Sequence, residues 1–430
     1  MRESTILVLN AGSSSLKASV YRLGEVLSST DPLPAIWSAR AQWTELSGDI
    51  ARDVASDIAR DVAVDIRGAV EEKHTWRISS VAELFDKLLE SLWSGPNAQL
   101  TSANEIDCIG HRIVHGGARF QQSVRITPEV LAAIKEATVW APQHNRLGLE
   151  GVAAVERAFG PDAMQIGVFD TAFHHSLPEE SYVYPGPYEW LEKGIRRYGF
   201  HGISHQYATT RAAHLLGRDL RSLRVISCHL GNGCSLAALK DGVCVDTTMG
   251  FTPLEGLMMG SRSGTVDPGI LIHLLRQGMS VDDVDAMLHH RSGLAGISGV
   301  SSDLREVTAA AENGNMRAQL ALKIYAHRLR FHLGGLIAGL GGVDLVVFTG
   351  GVGENSPALR SAVCGGMTYC GLTLNEQQNA SLQGDGEVSA ADSKVRVMVV
   401  KSREEWQIAL ECQGARTRFA HEDNRDELVQ

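Results

Sequence analysis

Two short stretches of the same design constrain this chain most. In residues 5–21, TILVLNAGSSSLKASVY, an apolar run from Ile6 to Leu9 ends at Asn10, crosses Ala-Gly-Ser-Ser-Ser and resumes as Leu16-Lys17-Ala18-Ser19-Val20. Small residues let the backbone turn sharply and bring its N–H groups close to an anion. The hydroxyls of Ser13, Ser14 and Ser15 add donors, and Lys17 adds a compact charge suited to phosphate. Residues 225–239, VISCHLGNGCSLAAL, repeat the plan: a strand enters Gly231-Asn232-Gly233-Cys234-Ser235 and another strand leaves. Two phosphate-sized hairpins in one chain point to a nucleotide held between two similar halves.

At 430 residues the chain exceeds one ordinary core, and two domains of about 150–200 residues each are expected. A hydrophobic content of 44% with 21% charged residues is that of a globular protein. The net charge of −10 argues against nucleic acid or an anionic membrane as the main partner, while local Arg and Lys remain free to take an anionic substrate. Seven Cys lie scattered without a C-x-x-C, the pattern of reduced, mostly buried thiols. Met1-Arg2-Glu3-Ser4 leads directly into a strand with no visible signal peptide. The longest apolar, Gly-rich run, Leu333 to Val343, is too short to span a bilayer. A soluble, cytoplasmic protein is the expectation.

Apolar runs at 6–9, 16–21, 109–114, 166–169, 225–229, 236–239, 243–246, 344–349 and 395–400 read as strands. Segments 128–139, 149–159, 204–216, 280–289, 303–312 and 315–338 read as helices. Hairpins followed by helices occur once before residue 170 and again after 220, a crude duplication of an α/β plan. One true repeat exists, ARDVASDI (51–58) followed by ARDVAVDI (59–66). Its Ile50, Val54, Ile58, Val62 and Ile66 recur every four residues, which predicts an amphipathic surface helix ended by Gly68. The polar tail from Gln413 to Gln430 reads as a frayed end.

Several site signatures are absent. Gly12-Ser-Ser-Ser-Leu-Lys17 does not fit a Walker-type loop, and no G-x-G-x-x-G follows a strand. His111/His115 and His201/His205 have the i,i+4 spacing of a helical zinc site. However, Ile113-Val114 reads as a strand, Gly202 weakens a helix, and no Glu follows either first His. The remaining polar clusters share a character, anion recognition in glycine-rich loops. Gly110-His111-Arg112-Ile-Val-His115-Gly116-Gly117, Arg196-Arg197-Tyr-Gly-Phe200-His201-Gly202 and Met258-Met-Gly260-Ser-Arg262-Ser-Gly264 each hold an Arg near a flexible turn. Arginine suits bidentate contact with carboxylate or phosphate. Any one alone would read as structural; three together in loops point to function.

These residues carry a family resemblance. LVLNAGSSSLK (7–17), HRIVHGG (111–117), FDTAFH (169–174), RRYGFHG (196–202), HLGNGCS (229–235), MGFTPLEGLMMGSRSG (249–264), FTGGVGEN (348–355) and the late Glu404-Glu405 resemble the acetate kinases, in order, over about residues 5–410. That family lies in the acetate and sugar kinase, Hsp70 and actin superfamily. The resemblance implies an α/β chain of two duplicated actin-like, ribonuclease H-like domains with the active site in the cleft between them. The expected domains are 1–170 with 406–430, and 171–405.

By residue, the resemblance places Asn10 and Glu404 at Mg2+, with Mn2+ able to substitute. It assigns ATP to Ser13, Ser15 and Lys17, to His229, Leu230, Gly231, Asn232 and Gly233, to Asp303, Leu304 and Arg305, and to Gly351, Val352, Gly353, Glu354 and Asn355. Arg112 and Arg262 fall around the carboxylate and the moving phosphoryl group, His201 at a transition-state stabiliser, and Asp170 at the catalytic acid. Val114, Phe200 and Pro253 match an apolar acyl pocket, though each alone reads as core. His144 and His174 read equally as core histidines, and Glu405 as a solvated helix-start carboxylate. The chain departs from the family at Gln143, where a pocket Leu is usual, and this bears on substrate size. It departs also at Ala118, Ile203 and the Val-Lys-Ser-Arg before Glu404.

The chemistry is consistent with these assignments. A phosphoryl group in transit spreads charge over three oxygens, so positioning and charge stabilisation dominate. A hard cation asks for oxygen ligands and keeps waters, which suits Asn10 and Glu404. A carboxylate substrate is already ionised at neutral pH and has no proton to give Asp170. Asp170 is therefore expected to orient Arg112, His201 or a metal-bound water. The expected activity is reversible, direct in-line transfer from ATP to acetate, giving acetyl phosphate and ADP in a homodimer, with domain closure excluding water. A kinase preferring propionate or another short-chain carboxylate is the near alternative, and an actin- or Hsp70-like ATPase a remote one.

Overall fold

The structure is a computed structural model that describes residues 3–12, 15–24, 31–43, 60–140 and 142–427. It divides into two compact units, Met1–Ala172 with Arg403–Gln430, and Phe173–Ser402.

The first unit is built on β1 (Ser4–Ala11) and β2 (Ser15–Leu23), an antiparallel pair in which Asn10 lies opposite Lys17. Gly12 N–H closes the turn on the Ser15 carbonyl at 2.8 Å. Ser13 and Ser14 lie outside the described residues. Ile6, Leu7 and Val8 are all fully buried, as a strand covered on both faces requires. The sheet continues antiparallel through β3 (Trp37–Gln42), β4 (Arg60–Arg67) and β5 (Glu71–Ile78). On the other side of β1 run β6 (Cys108–Ile113) and β8 (Gln165–Phe169), both parallel, with the short β7 (Val124–Arg125) at the edge.

The second unit repeats this order. β9 (Val225–Leu230), β10 (Cys234–Lys240) and β11 (Val243–Thr247) form the antiparallel run, while β12 (Leu345–Thr349) and β14 (Arg396–Val399) add parallel to β9. β13 (Gly386–Glu387) finishes the edge. Thus β3-β2-β1-β6-β8 and β11-β10-β9-β12-β14 share one topology, and each phosphate-sized hairpin is the first pair of its sheet. The fold is a duplicated α/β plan, with the same sheet order in both units.

Two local expectations fail. The second copy of the repeat, described from Arg60, is strand β4 and not a helix; the first copy lies outside the described residues. A spacing of four is also twice a spacing of two, and Val64 between Val62 and Ile66 settles the ambiguity. All three are buried while Ala63 and Arg67 are exposed, and β-branched side chains favour a pleated, half-buried surface. The tail does not begin to fray at Gln413 either, because one helix runs Glu404–Glu427. Its Trp406, Ile408, Ala409, Cys412 and Ala415 are buried. Gln413 Nε2 donates to the Gly24 carbonyl at 2.7 Å, and Arg418 Nη2 to the Ser123 carbonyl at 3.0 Å. Gly110 permits its close approach, since a Cβ there would stand 2.4 Å from Cys412 Sγ and 2.8 Å from Ile408 Cγ2. That packing sets the first turn of the helix beside β1.

Candidate active site

In the first unit, the register of β1 and β2 puts Asn10 and Lys17 side by side, β6 carries Arg112, and Asp170 follows the end of β8. The helix from Glu404 supplies two carboxylates. Arg112 donates from Nε and Nη2 to Asp170 Oδ2, at 3.1 and 2.5 Å, and from Nη1 to Asn10 Oδ1 at 3.2 Å. Asn10 Nδ2 in turn donates to Glu404 Oε2 at 2.9 Å and to Glu405 Oε1 at 2.7 Å. Lys17 Nζ lies 3.1 Å from Glu405 Oε1, and Arg112 Nη1 lies 4.0 Å from Glu404 Oε2.

Burial works against the Arg112 charge, but Asp170, Glu404 and Glu405 outweigh it and hold the guanidinium more firmly charged than usual. Glu405 does the same for the Lys17 ammonium against its burial, with help from Glu404. Three carboxylates thus meet two cations, leaving one negative charge over in a largely buried cluster of oxygen donors. Glu405 was expected to be solvated and is not. It bridges Asn10 and Lys17, and its side chain is 15% exposed.

In the second unit, His201 heads the helix Gly202–Leu215 in the left-handed conformation, φ 57° and ψ 25°. Gly202 does not weaken this helix; it opens it. His201 Nδ1 stands 2.9 Å from Ser235 Oγ, and its ring stacks on His229 with centroids 4.2 Å apart. An ideal Cβ on Gly233 would lie 3.4 Å from both His201 Nε2 and Arg262 Nη1, so the second hairpin, His201 and Arg262 converge. Arg262 also donates from Nη1 to the Pro253 carbonyl at 3.2 Å. Phe200 and Pro253 are buried in this unit, whereas Val114 is buried in the first. His174 is a core histidine: its ring nitrogens lie 3.2 Å from Cys244 Sγ and 3.0 Å from the Phe200 carbonyl, and burial lowers its pKa to about 4. Gln143 lies in the helix Pro142–Phe159, which begins earlier than its apolar spacing suggests because proline at a first helical position leaves no stranded N–H.

The expected nucleotide segments gather around the second hairpin. Gly260 N–H donates to the Asn232 carbonyl at 3.0 Å, and a Cβ on Gly260 would stand 2.9 Å from the Ser302 carbonyl oxygen, next to Asp303. Asp303 caps the helix Leu304–Glu312 and binds the Arg305 side chain. Thr349 pairs with His229 across β12 and β9, and the helix Gly350–Asn355 follows. Gly350, at φ +78°, approaches Leu230 so closely that a Cβ would stand 2.7 Å from its carbonyl oxygen. Leu230 and Leu304 are buried, so neither offers its side chain to a ligand. Glu354 accepts the Ser402 N–H at 2.8 Å, which occupies one of its carboxylate oxygens.

The acetokinase family's sequence pattern matches residues 5–410. An acetate kinase of Gloeobacter violaceus is 50% identical over 408 residues, 95% of this chain and 98% of that protein. One from Cyanothece is also 50% identical, over 95% of this chain and 97% of its own length. The chain belongs to the acetokinase family. Among solved structures, Porphyromonas gingivalis acetate kinase matches with TM-score 0.83 and 38% identity, over 96% of this chain and 99% of that one. A Francisella tularensis propionate kinase matches with TM-score 0.82 and 34% identity, over 95% and 98%.

Beyond the residues given a role in the sequence, Glu405, Ser204, Ser235 and His205 touch the site's side chains or their partners, and Ser227 touches His205. The sequence signal for the serines is a lone polar residue at a core-facing strand or helix position. For His205 it is the i,i+4 spacing from His201, whose partner is a serine hydroxyl.

Proposed function

We propose that this chain is an ATP-dependent kinase of carboxylates that transfers the γ-phosphoryl group reversibly to acetate, giving acetyl phosphate and ADP. The observation that carries it is the arrangement of Arg112. Its fork is fixed by Asp170 on one side and Asn10 on the other, so a cationic group is preorganised next to the metal-type donors Asn10 and Glu404. Asp170 acts as the orienting carboxylate for Arg112, a role that needs no proton from acetate.

The residues fit Mg2+. Asn10, Glu404 and Glu405 offer oxygen donors with one negative charge to spare. Among the described residues no three His, Cys, Asp or Glu side chains form a protein-only metal cage, so phosphate and water oxygens would complete the shell. When bound, the cation supplies positive charge to the phosphate oxygens. Lys17 and the backbone of the first hairpin bind phosphate. The second hairpin, Asp303 to Arg305 and Gly351 to Asn355 bind the nucleotide. Arg262 supplies positive charge to the phosphoryl oxygens, and His201 donates a hydrogen bond to them, as the acetate oxygen attacks in line.

A homodimer is supported by the helix Pro268–Arg276, none of whose residues is buried although it carries Ile270, Leu271, Ile272, Leu274 and Leu275. Among the described residues no helix is long and apolar enough to cross a membrane, which accords with a cytoplasmic enzyme. The test is hydroxylamine trapping of acyl phosphate from ATP with acetate, propionate and butyrate in parallel. The expected result is most hydroxamate from acetate. No product from any acid overturns the reading, and a propionate optimum replaces the substrate.

A further inference from the structure

His201 and His205 look in sequence like a pair of metal ligands one helical turn apart, yet a serine hydroxyl joins them. Ser235 Oγ lies 2.9 Å from His201 Nδ1 and 2.8 Å from His205 Nε2. Beyond it, His205 Nδ1 lies 2.9 Å from Ser227 Oγ. Ser227, Ser235 and His205 are all fully buried. His229, stacked on the His201 ring, is itself held by Ser204 Oγ at 2.7 Å from its Nδ1. Burial, with His174 and His229 nearby, holds the pKa of His205 well below the usual histidine value, so it is neutral and has one donor and one acceptor nitrogen.

We infer that Ser235 and His205 are positioning residues for phosphoryl transfer, forming with Ser227 a buried hydroxyl–imidazole chain that holds His201 with its hydrogen on Nε2. The inference rests on the proposed role of His201. Ser235 has one hydroxyl hydrogen to share between two imidazoles, which limits the chain to two arrangements. In one, Ser227 donates to His205 Nδ1, His205 Nε2–H donates to Ser235, and Ser235 donates to His201 Nδ1. His201 then keeps its own hydrogen on Nε2. In the other, His205 donates from Nδ1 to Ser227, Ser235 donates to His205 Nε2, and His201 donates from Nδ1 to Ser235. A neutral His201 then turns a bare lone pair outward.

The nitrogen turned away from Ser235 is Nε2, which with Arg262 Nη1 lies 3.4 Å from where a Cβ on Gly233 would stand. An anionic oxygen there attracts an N–H and repels a lone pair, so it selects the first arrangement. The Ser235 hydroxyl supplies the matching hydrogen at Nδ1. Backbone strain points the same way. Among the described residues, His201 and Asp241 are the non-glycine residues with positive φ, and Asp241 is followed by Gly242, also at positive φ, in the turn between β10 and β11. The left-handed conformation at His201 persists because the chain of hydrogen bonds and the stack over-determine it.

The test is the Ser235→Ala variant, read by turnover and by 15N NMR of the His201 ring, whose signals are assigned by their loss in His201→Ala. Turnover should fall about 10–100-fold, with the KM values for ATP and acetate changed by no more than about twofold. The ring should pass from one tautomer, with hydrogen on Nε2, to a mixture. In a His201→Ala background Ser235→Ala should cost nothing further, because it acts through His201. An unchanged tautomer and rate, or an equal loss in both backgrounds, overturns the inference. If Ser235→Ala does not fold, His205→Gln and His205→Leu read the same chain. The glutamine amide can still reach Ser235 and should keep the tautomer and the rate, while leucine should lose both; equal behaviour of the two overturns the inference. Normal turnover in His201→Ala overturns the role of His201 itself, and the tautomer measurement on the intact chain is unaffected by that outcome.

Discussion

Replacing Arg112 by lysine probes the first unit's cluster without removing its charge. The guanidinium makes three contacts, two to Asp170 Oδ2 and one to Asn10 Oδ1. These leave from three different nitrogens and point two ways. A lysine ammonium on a flexible stem can take Asp170 or Asn10 but cannot span both. One fork contact at least is lost, and a hydrogen bond to a charged group is worth about 1.5–3 kcal/mol. Since the fork fixes the cation that serves the reaction, the loss appears in kcat/KM, as a fall of roughly 10–200-fold. Steady-state kinetics with acetate varied at saturating ATP, followed by ADP release, measure it directly. Thermal unfolding of the same variant checks that the loss is not one of folding. An unchanged kcat/KM for acetate, with the fold intact, would show that charge alone, and not fork geometry, matters at Arg112.

Three further outcomes follow from particular contacts. Asp170→Asn keeps the side chain's shape and an oxygen acceptor but removes the negative charge that holds Arg112; turnover should drop with little change in KM for ATP, and near-normal turnover would remove its orienting role. Gly110→Ala drives a Cβ against Cys412 and Ile408, which should cost about 1–3 kcal/mol of stability by urea unfolding. It should also raise the metal concentration needed for half-maximal rate, because the displaced helix carries Glu404. Burial lowers the pKa of His111 and of His174 to about 4. The unfolded chain therefore takes up protons near the ordinary value of 6.5 that the folded chain refuses. Their contribution to stability is whole above pH 6.5 and is lost as pH falls toward 4, about 3 kcal/mol each; a urea midpoint independent of pH over that range would count against it.

Much of this site was legible because its residues sit next to turns that sequence marks plainly. Small residues after an apolar run identify both hairpins; Arg262 stands in a glycine-rich loop, His201 heads a helix between Gly199 and Gly202, and Arg112 lies near the end of a strand just before Gly116-Gly117. What the pattern could not supply was pairing across long separations. Nothing local tells a first-turn carboxylate that points into a sheet from one that points to water, so Glu405 reads as solvated until the helix is packed on β1. The repeat failed for a related reason, since a period of four serves a helix and a strand alike and the neighbouring strands decide. Ser235 closes the second hairpin's motif, yet the sequence assigns it no role, because one hydroxyl among small residues does not name its partners. Its meaning comes only when strand β10 sets it between two imidazoles from one helix.

The proposed activity requires that an oxygen of acetate attack the γ-phosphorus of ATP. Acetate labelled with 18O on both oxygens, incubated with ATP, Mg2+ and the protein and trapped with hydroxylamine, tests it most directly. Hydroxylamine takes the acyl carbon and leaves the bridging oxygen on phosphate. Direct transfer gives acetohydroxamate in step with ADP, and inorganic phosphate that carries one 18O. Label in AMP with unlabelled pyrophosphate, or hydroxamate accompanied by unlabelled phosphate, would contradict it.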